Sequence, residues 1–340
     1  MKKISVFFLI LAFSLMILSS SFHPADALQP AEDVEVQVSI YPIFELADRI
    51  AGDRLEIEQV TPQGTEIHGY EPSPRRMAAL ERADAFILVG AGLEPWGDRA
   101  IDTLDGEDIK ILELAGKVDL RLFEEEHDHD HNHEHGHEND EQKHDKHEHD
   151  IENEEGHDHE HDHQHGEYDT HIWLDFEIMQ RAAAELSDLF AELDPEGKEM
   201  YREKKEAVQE KLAELDNAYR EGLAERIYDD IIVSHAAFGY LADNYALNQH
   251  AVTGLSPHDE PSPRAVRRLI DLAEETGVEH IFMEVLASPE TVEVIASEAD
   301  LEILTLNPAA GLTEEDIKEG RDYFDIMYQN LENLQKALNP

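Results

Sequence analysis

Residues 195–226 read PEGKEMYREKKEAVQEKLAELDNAYREGLAER, and the rest of the chain arranges itself around this stretch. It is rich in good helix formers, with Asp194 placed as an N-cap and Pro195 at the first helical position. About thirty residues at 1.5 Å each predict a helix of ~45 Å, longer than one small lobe is wide. Such a helix reads as a rigid connector between two lobes. On its N-terminal side, strands are predicted at Val34–Ser39, Leu55–Val60, Ala85–Val89 and Ile109–Leu112. Helices fall between and after them, at Tyr41–Ile50, Pro74–Arg82, Pro95–Leu104 and Phe176–Leu193. On its C-terminal side, strands at Asp230–Val233, Gln249–Val252, His280–Met283 and Glu302–Leu306 alternate with helices at Phe238–Tyr245, Pro263–Glu275 and Pro289–Glu298. A single long helix from about Glu314 to Leu338 closes the chain. Repeated β-α units favour parallel sheets, and the run AFILV at 85–89 suits a strand buried on both faces. The expected fold is therefore α/β, two α/β lobes with central, mainly parallel sheets joined by one long rigid helix. The lobes are expected at 34–193 and 229–340, with the connector at 195–226. Ligands of such sheets bind beyond the carboxyl ends of the strands.

The N-terminus has the composition of a secretory signal peptide over residues 1–27. Lys2 and Lys3 precede an apolar run from Ile4 to Leu18, and Ala25-Asp26-Ala27 gives a cleavage site. The apolar run is short for a spanning helix, which needs about 20 residues. No cysteine stands near the cleavage site, so the mature protein is expected to be free in a periplasm or outside the cell, and not a lipoprotein. The chain has no cysteine at all, so stability must come from core burial and any metal site must use His and carboxylates. A net charge of -51 repels phosphates, which argues against nucleic acid as a partner, and it fits a protein adapted to high salt.

Between Glu124 and Glu167 the chain reads EEEHDHDHNHEHGHENDEQKHDKHEHDIENEEGHDHEHDHQHGE. Its histidines are His127, His129, His131, His133, His135, His137, His144, His147, His149, His157, His159, His161, His163 and His165, fourteen of the 21 in the chain. The tract has almost nothing apolar to bury, so it is expected to be a disordered loop. Neutral imidazole is the commonest protein ligand for divalent transition metals, so its composition points to several weak auxiliary sites. The alternative is a charged linker that happens to contain His.

Outside the tract and the signal peptide, six histidines remain: His68, His171, His235, His250, His258 and His280. Three sit where loops leave strands or rejoin ordered structure. His68 lies in TPQGTEIHGYEPSP, His171 in YDTHIWLD, and His235 ends IIVSH. A single His at a strand end is more often a hydrogen-bonded loop residue. Three at one strand-exit edge make a good divalent metal site with a further position for carboxylate, amide or water. His250, His258 and His280 read as structural or surface residues.

The stretches GTEIHGYEPSPRRMAALERADAFILVGAGLEPW, DTHIWLD, IIVSHAAFGYLADNYAL, the EPSP at Glu260 to Pro263, and IFMEVLASPETVEVIA together resemble the metal-specific solute-binding proteins of ABC importers, and most of all the periplasmic zinc-binding components. The resemblance covers nearly the whole mature chain. It implies two α/β lobes bridged by a long helix, with the metal between them. It maps the first ligand to His68, the second to His171 and the third to His235, where manganese-binding members tend to carry a carboxylate. Imidazole there favours Zn²⁺ over Mn²⁺ or Fe²⁺. The family's late Asp is replaced by Asn307, in LTLNPAAGL, and Ile67 stands where some zinc members carry a Glu. The expected set is thus three His plus water or Asn307, with Glu66 as the lesser fourth candidate. Asp169 and Asp175 could orient an imidazole, or simply cap turns.

The implied function is extracytoplasmic capture of Zn²⁺ and delivery to an ABC permease and its ATPase, by a monomer with no small organic substrate. A zinc hydrolase is the rival from another class, since three His and a water can also be catalytic. Outside the His-rich tract the chain has no HExxH segment, and it has no G-x-S-x-G elbow, so an enzyme is not expected. A metal buffer or adhesin without a transporter is the third reading.

Overall fold

The computed structural model describes residues 34–104, 106, 108–123, 168–285 and 289–340. The signal peptide expected at 1–27 and the His-rich tract at 124–167 lie outside the described residues. In chain order the first half holds β1 (Glu35–Val38), α1 (Tyr41–Ala51), β2 (Glu56–Gln59), α2 (Pro74–Leu80), β3 (Ala85–Leu88), α3 (Gly97–Leu104) and β4 (Lys110–Glu113). A two-residue pair follows, β5 (Arg121–Leu122) antiparallel to β6 (Tyr168–Asp169), which brackets the tract. Then come α4 (Phe176–Leu193) and α5 (Lys198–Gly222). The second half holds β7 (Asp230–His235), α6 (Gly239–Tyr245), β8 (Asn248–Thr253), α7 (Pro263–Thr276), β9 (His280–Met283), α8 (Glu290–Glu298), β10 (Glu302–Thr305), α9 (Glu314–Glu319) and α10 (Tyr323–Leu338).

Both four-stranded sheets are parallel throughout and share one topology. The orders are β2-β1-β3-β4 and β10-β9-β7-β8, so in each the first strand is inside, the second lies at one edge, and the third and fourth lie on the other side. Each order reverses direction between first and third strands, the place where α/β sheets open a crevice at their carboxyl ends.

Side chains alternate across the strands as the pleat requires. In β3 and the residue after it, Ala85, Ile87 and Val89 enter a large shared core, while Phe86 and Leu88 enter a smaller cluster with Trp96, Ala100 and Leu104. In β7, Ile231 and Val233 enter that same shared core, while Ile232 joins Leu269, Ile281 and Ile295 on the outer face. The shared core therefore takes in one face of each sheet, together with α1, α4, α5 and α10.

Two sequence expectations change. The helix expected at 195–226 starts later, because Pro195–Gly197 forms a 3-10 turn and the α-helix runs from Lys198 to Gly222, 25 residues or about 38 Å. Asp194 does not cap it. Its buried carboxylate instead accepts from the Arg54 guanidinium (Nη2, 2.7 Å) and the Tyr201 hydroxyl (2.6 Å). The closing helix is two helices, because Gly320 adopts φ 69° after α9, and Thr313–Asp316 and Asp322–Asp325 each form a capping box that starts a new helix.

Candidate metal centre

His68 lies in the loop after β2, a stretch with no apolar period to continue a strand or helix. Ile67 is buried beneath it, and the Tyr70 hydroxyl donates to the Val60 carbonyl at 3.1 Å. The Glu66 carboxylate accepts from the backbone N–H of His68 at 2.9 Å and of Gly69 at 3.1 Å, closing a tight turn that turns the His68 ring inward.

His171 follows β6 and precedes a 3-10 turn at Ile172–Leu174. Asp169 holds it twice: one carboxylate oxygen accepts from the His171 backbone N–H at 3.0 Å and contacts ring Nδ1 at 2.8 Å. Asp169 is fully buried, with its other oxygen 3.7 Å from Arg121 Nη1. Trp173 packs beside the ring and donates its indole N–H to the Pro308 carbonyl at 2.6 Å. Asp175 does not reach a His; it caps α4 by accepting from the N–H groups of Glu177 and Ile178.

His235 is the last residue of β7. Its ring Nδ1 and the Ser234 hydroxyl both donate to one oxygen of Glu284, the residue after β9. Glu284 was not among the residues singled out from sequence. It stands at the crevice because β9 pairs directly with β7. The other half repeats the arrangement: the Ser39 hydroxyl at the end of β1 donates to Glu94 beyond β3. There Ile40 stands where the second half has His235, and Glu94 instead accepts from the backbone of Val89 and Gly90, with its pKa raised chiefly by burial.

The carboxylates behind His171 and His235 assign the proton of each ring to Nδ1, which leaves Nε2 as a free lone pair. Those lone pairs converge. His171 Nε2 is 3.2 Å from His68 Nε2 and 3.4 Å from His235 Nε2. His171 and His235 are buried and His68 is half-buried. Burial, followed by the neighbouring imidazoles of His171, His235 and His258, holds the His68 pKa well below its ordinary value, so its ring is neutral. Facing lone pairs repel one another unless a cation lies between them. A tetrahedral ion with metal–nitrogen bonds of 2.0–2.1 Å requires nitrogens about 3.4 Å apart, close to the two separations from His171, and all three ligand atoms lie within 4.8 Å of one another. Among the described residues, these three are the group of at least three His, Cys, Asp or Glu side chains able to share a metal. The cavity over them is about 20 Å³, room for about one water-sized occupant.

The two candidates for a fourth ligand both line the cavity and both make hydrogen bonds elsewhere. Glu66 lines the cavity, but its oxygens serve the turn, and Oε2 also meets His258 Nε2 at 2.9 Å; its nearest approach to His68 Nε2 is 4.0 Å. Asn307 lines it too, but its side-chain oxygen accepts from the Ala309 N–H at 2.9 Å and folds a turn in which Ala309 takes φ 56°. His250 and His280 lie elsewhere, against Asp230 and Glu302. His258 reaches across from the second half to the turn that carries His68. The His-rich tract is outside the described residues.

Residues 36–337 match a family described as ZnuA, zinc-uptake complex component A, periplasmic. A zinc-binding lipoprotein, AdcA, of Streptococcus pneumoniae is 32% identical over 337 residues, covering 99% of this chain and 61% of that protein. The chain thus spans about three-fifths of the length of that relative. The high-affinity zinc uptake system protein ZnuA of Bacillus subtilis is 30% identical over 340 residues, with 99% of this chain and 98% of that protein covered. The crystal structure of the Zn(II)-bound ZnuA-like domain of Streptococcus pneumoniae AdcA is similar with a TM-score of 0.70 at 29% identity, covering 91% of this chain and all of that one. These names correct one expectation. Relatives that align along 99% of the chain are named lipoproteins, so the placement as a freely diffusing protein that is not a lipoprotein does not stand. Among the described residues no helix is long and apolar enough to cross a membrane.

Proposed function

The chain belongs to the ZnuA family, and on that footing we propose that it captures Zn²⁺ through His68, His171 and His235 and delivers it to a membrane permease driven by an ATPase. The observation that carries this reading is the convergence of three Nε2 atoms, with neighbouring separations of 3.2 and 3.4 Å. Three neutral nitrogens favour Zn²⁺, whereas oxygen-rich sites suit Mn²⁺. Water or Asn307 takes the fourth position, with Glu66 the lesser candidate, its nearest approach to His68 Nε2 being 4.0 Å. The buried carboxylates of Asp169 and Glu284 fix the rings and offset the cation's charge. The work needs binding and release only, with no catalysis, and a monomer suffices. The lobes at 34–193 and 229–340 supply the ligands from both sides of the helix Lys198–Gly222, read as their connector. The His-rich tract holds further ions weakly and raises their supply at the site.

Competitive titration of Zn²⁺ and Mn²⁺ against a protein lacking residues 128–165 tests the assignment. One tight Zn²⁺ site is expected, with Mn²⁺ far weaker, and the site should be lost in His235→Ala. Equal preference for Mn²⁺ would overturn the choice of ion, and an unchanged tight site in His235→Ala would overturn the ligand set.

A further inference from the structure

The two carboxylates behind the metal-facing imidazoles differ in one respect that ring orientation does not explain. Glu284 is buried and pairs with His235, and among the described residues no Lys or Arg stands within 4.0 Å of it. Asp169 is fully buried too, but a cation stands at its back. Its Oδ1 serves His171, accepting from the backbone N–H at 3.0 Å and meeting ring Nδ1 at 2.8 Å. Its Oδ2 accepts from no donor among the described residues and lies 3.7 Å from Arg121 Nη1. Strand register makes this pair, because Arg121 and Asp169 are cross-strand partners in the β5–β6 ladder. Gly239 leaves the space they share, since a Cβ there would stand 2.5 Å from Asp169 Oδ2 and 2.7 Å from Arg121 Nη1.

Holding the hairpin in place does not require the guanidinium. The Arg121 backbone N–H donates to the Tyr240 hydroxyl at 3.0 Å, and that hydroxyl donates to the Asp169 carbonyl at 2.9 Å, so α6 grips both strands through main-chain groups. A second contact of the side chain, Nε to Asp243 Oδ2 at 2.7 Å, is with an exposed carboxylate and is worth little. Nor is Arg121 needed to aim Asp169, whose Oδ1 is already fixed by two groups of His171. What the cation changes is charge. A carboxylate hydrogen-bonded to a ligating ring raises the basicity of that ligand. A cation at its other oxygen draws on the same negative charge and makes Oδ1 a poorer acceptor from Nδ1–H. It also repels a divalent ion at Nε2. Both effects weaken the hold on a metal.

We propose that Arg121 holds zinc affinity down by acting through Asp169, so that the site releases its ion faster than the His171–Asp169 pair alone would allow. A protein that must hand on its cargo gains from such a ceiling, because at a fixed rate of capture tighter binding means slower release. This rests on the reading of His171 as a ligand.

The test uses the full chain at about pH 8, loaded with one Zn²⁺ per molecule. Competition against a chelator of known zinc affinity gives Kd. Chelator-triggered loss of the ion, followed by the fluorescence of Trp173 beside the His171 ring, gives the release rate. Arg121→Gln and Arg121→Met should each tighten binding about tenfold and slow release by a similar factor, and Arg121→Lys should restore the wild-type values. In an Asp169→Asn background, Arg121→Gln should change affinity by less than about twofold. Asp243→Asn breaks the contact with α6 but leaves the cation, and should not tighten binding. Affinity unchanged or weakened in both Arg121→Gln and Arg121→Met would overturn the proposal and leave zinc capture standing. So would a tightening that persists in full in the Asp169→Asn background, or an equal tightening in Asp243→Asn. A tight site that survives His171→Ala would overturn the ligand reading and the proposal with it. If Arg121→Gln misfolds, Arg121→Met decides by the same criterion.

Discussion

Replacing Glu284 should weaken metal binding although Glu284 is not itself a proposed ligand. One of its oxygens receives both the His235 ring Nδ1–H and the Ser234 hydroxyl, and the side chain is buried. In Glu284→Ala the His235 ring can rotate or move its proton to Nε2, and each of those states is lost to the metal. Outer-sphere partners of this kind are worth about 10–100-fold in affinity, or about 1.4–2.8 kcal/mol. Ser234 also loses its acceptor in a buried setting, which should cost about 1–3 kcal/mol of folding stability. Glu284→Gln keeps an oxygen that can accept both protons and removes only the charge, so its loss should be smaller, about tenfold at most. Competition against a chelator of known zinc affinity measures the binding, and denaturant unfolding of the metal-free protein measures the stability. A folded Glu284→Ala protein that binds zinc as tightly as the wild type would show that His235 is held by something else.

Asp194→Ala should destabilise the fold by up to about 3–5 kcal/mol, because it removes the buried carboxylate that accepts from the buried Arg54 guanidinium, while the other carboxylate near it, Glu196 at 3.6 Å, is exposed; a loss within the ~0–1 kcal/mol of a surface pair would refute that role. The depressed pKa of His68 makes the metal-free fold lose stability in acid: above the unfolded value of about 6.5 both states are neutral, and below it only the unfolded ring takes up a proton. Thermal unfolding between about pH 7 and 5 should therefore show a shallower decline in His68→Gln than in the wild type, with zinc affinity falling over the same range as protons compete. Deleting residues 128–165 should leave one tight site and remove the weak ones, as read by isothermal titration; loss of the tight site would count against that division of roles.

The parts of the fold set by local pattern were legible. The sequence limits of Phe176–Leu193 and His280–Met283 coincide with α4 and β9. Where an expectation slipped, a distant partner or a competing local signal had intervened. Asp194 sits where an N-cap should sit, but Arg54, far away in the chain, takes its carboxylate. The closing segment, expected as one helix from about Glu314 to Leu338, breaks at Gly320, where local capping boxes start two separate helices. The three histidines could be picked out because each stands at an edge of regular structure. Glu284 could not, since its nearness to His235 comes from β9 lying beside β7, and strand order is not written in any local spacing. Glu66 shows the opposite limit: it is close to His68 in sequence, yet the turn that brings it near also uses its oxygens.

The core shared by both sheets and wrapped around α5 has a consequence for unloading. Val36 and Val38 of one sheet, Ile231 and Val233 of the other, and Leu212, Leu215 and Tyr219 of α5 all belong to one apolar cluster. Swinging the halves widely apart would wet that surface at about 25 cal/mol per Å², so every few hundred square ångströms uncovered would forfeit several kcal/mol. A clamshell that gapes by thermal motion is therefore a poor description of this molecule. Any opening that keeps this spine dry costs less, so loosening confined to the residues around the metal centre is the cheaper route.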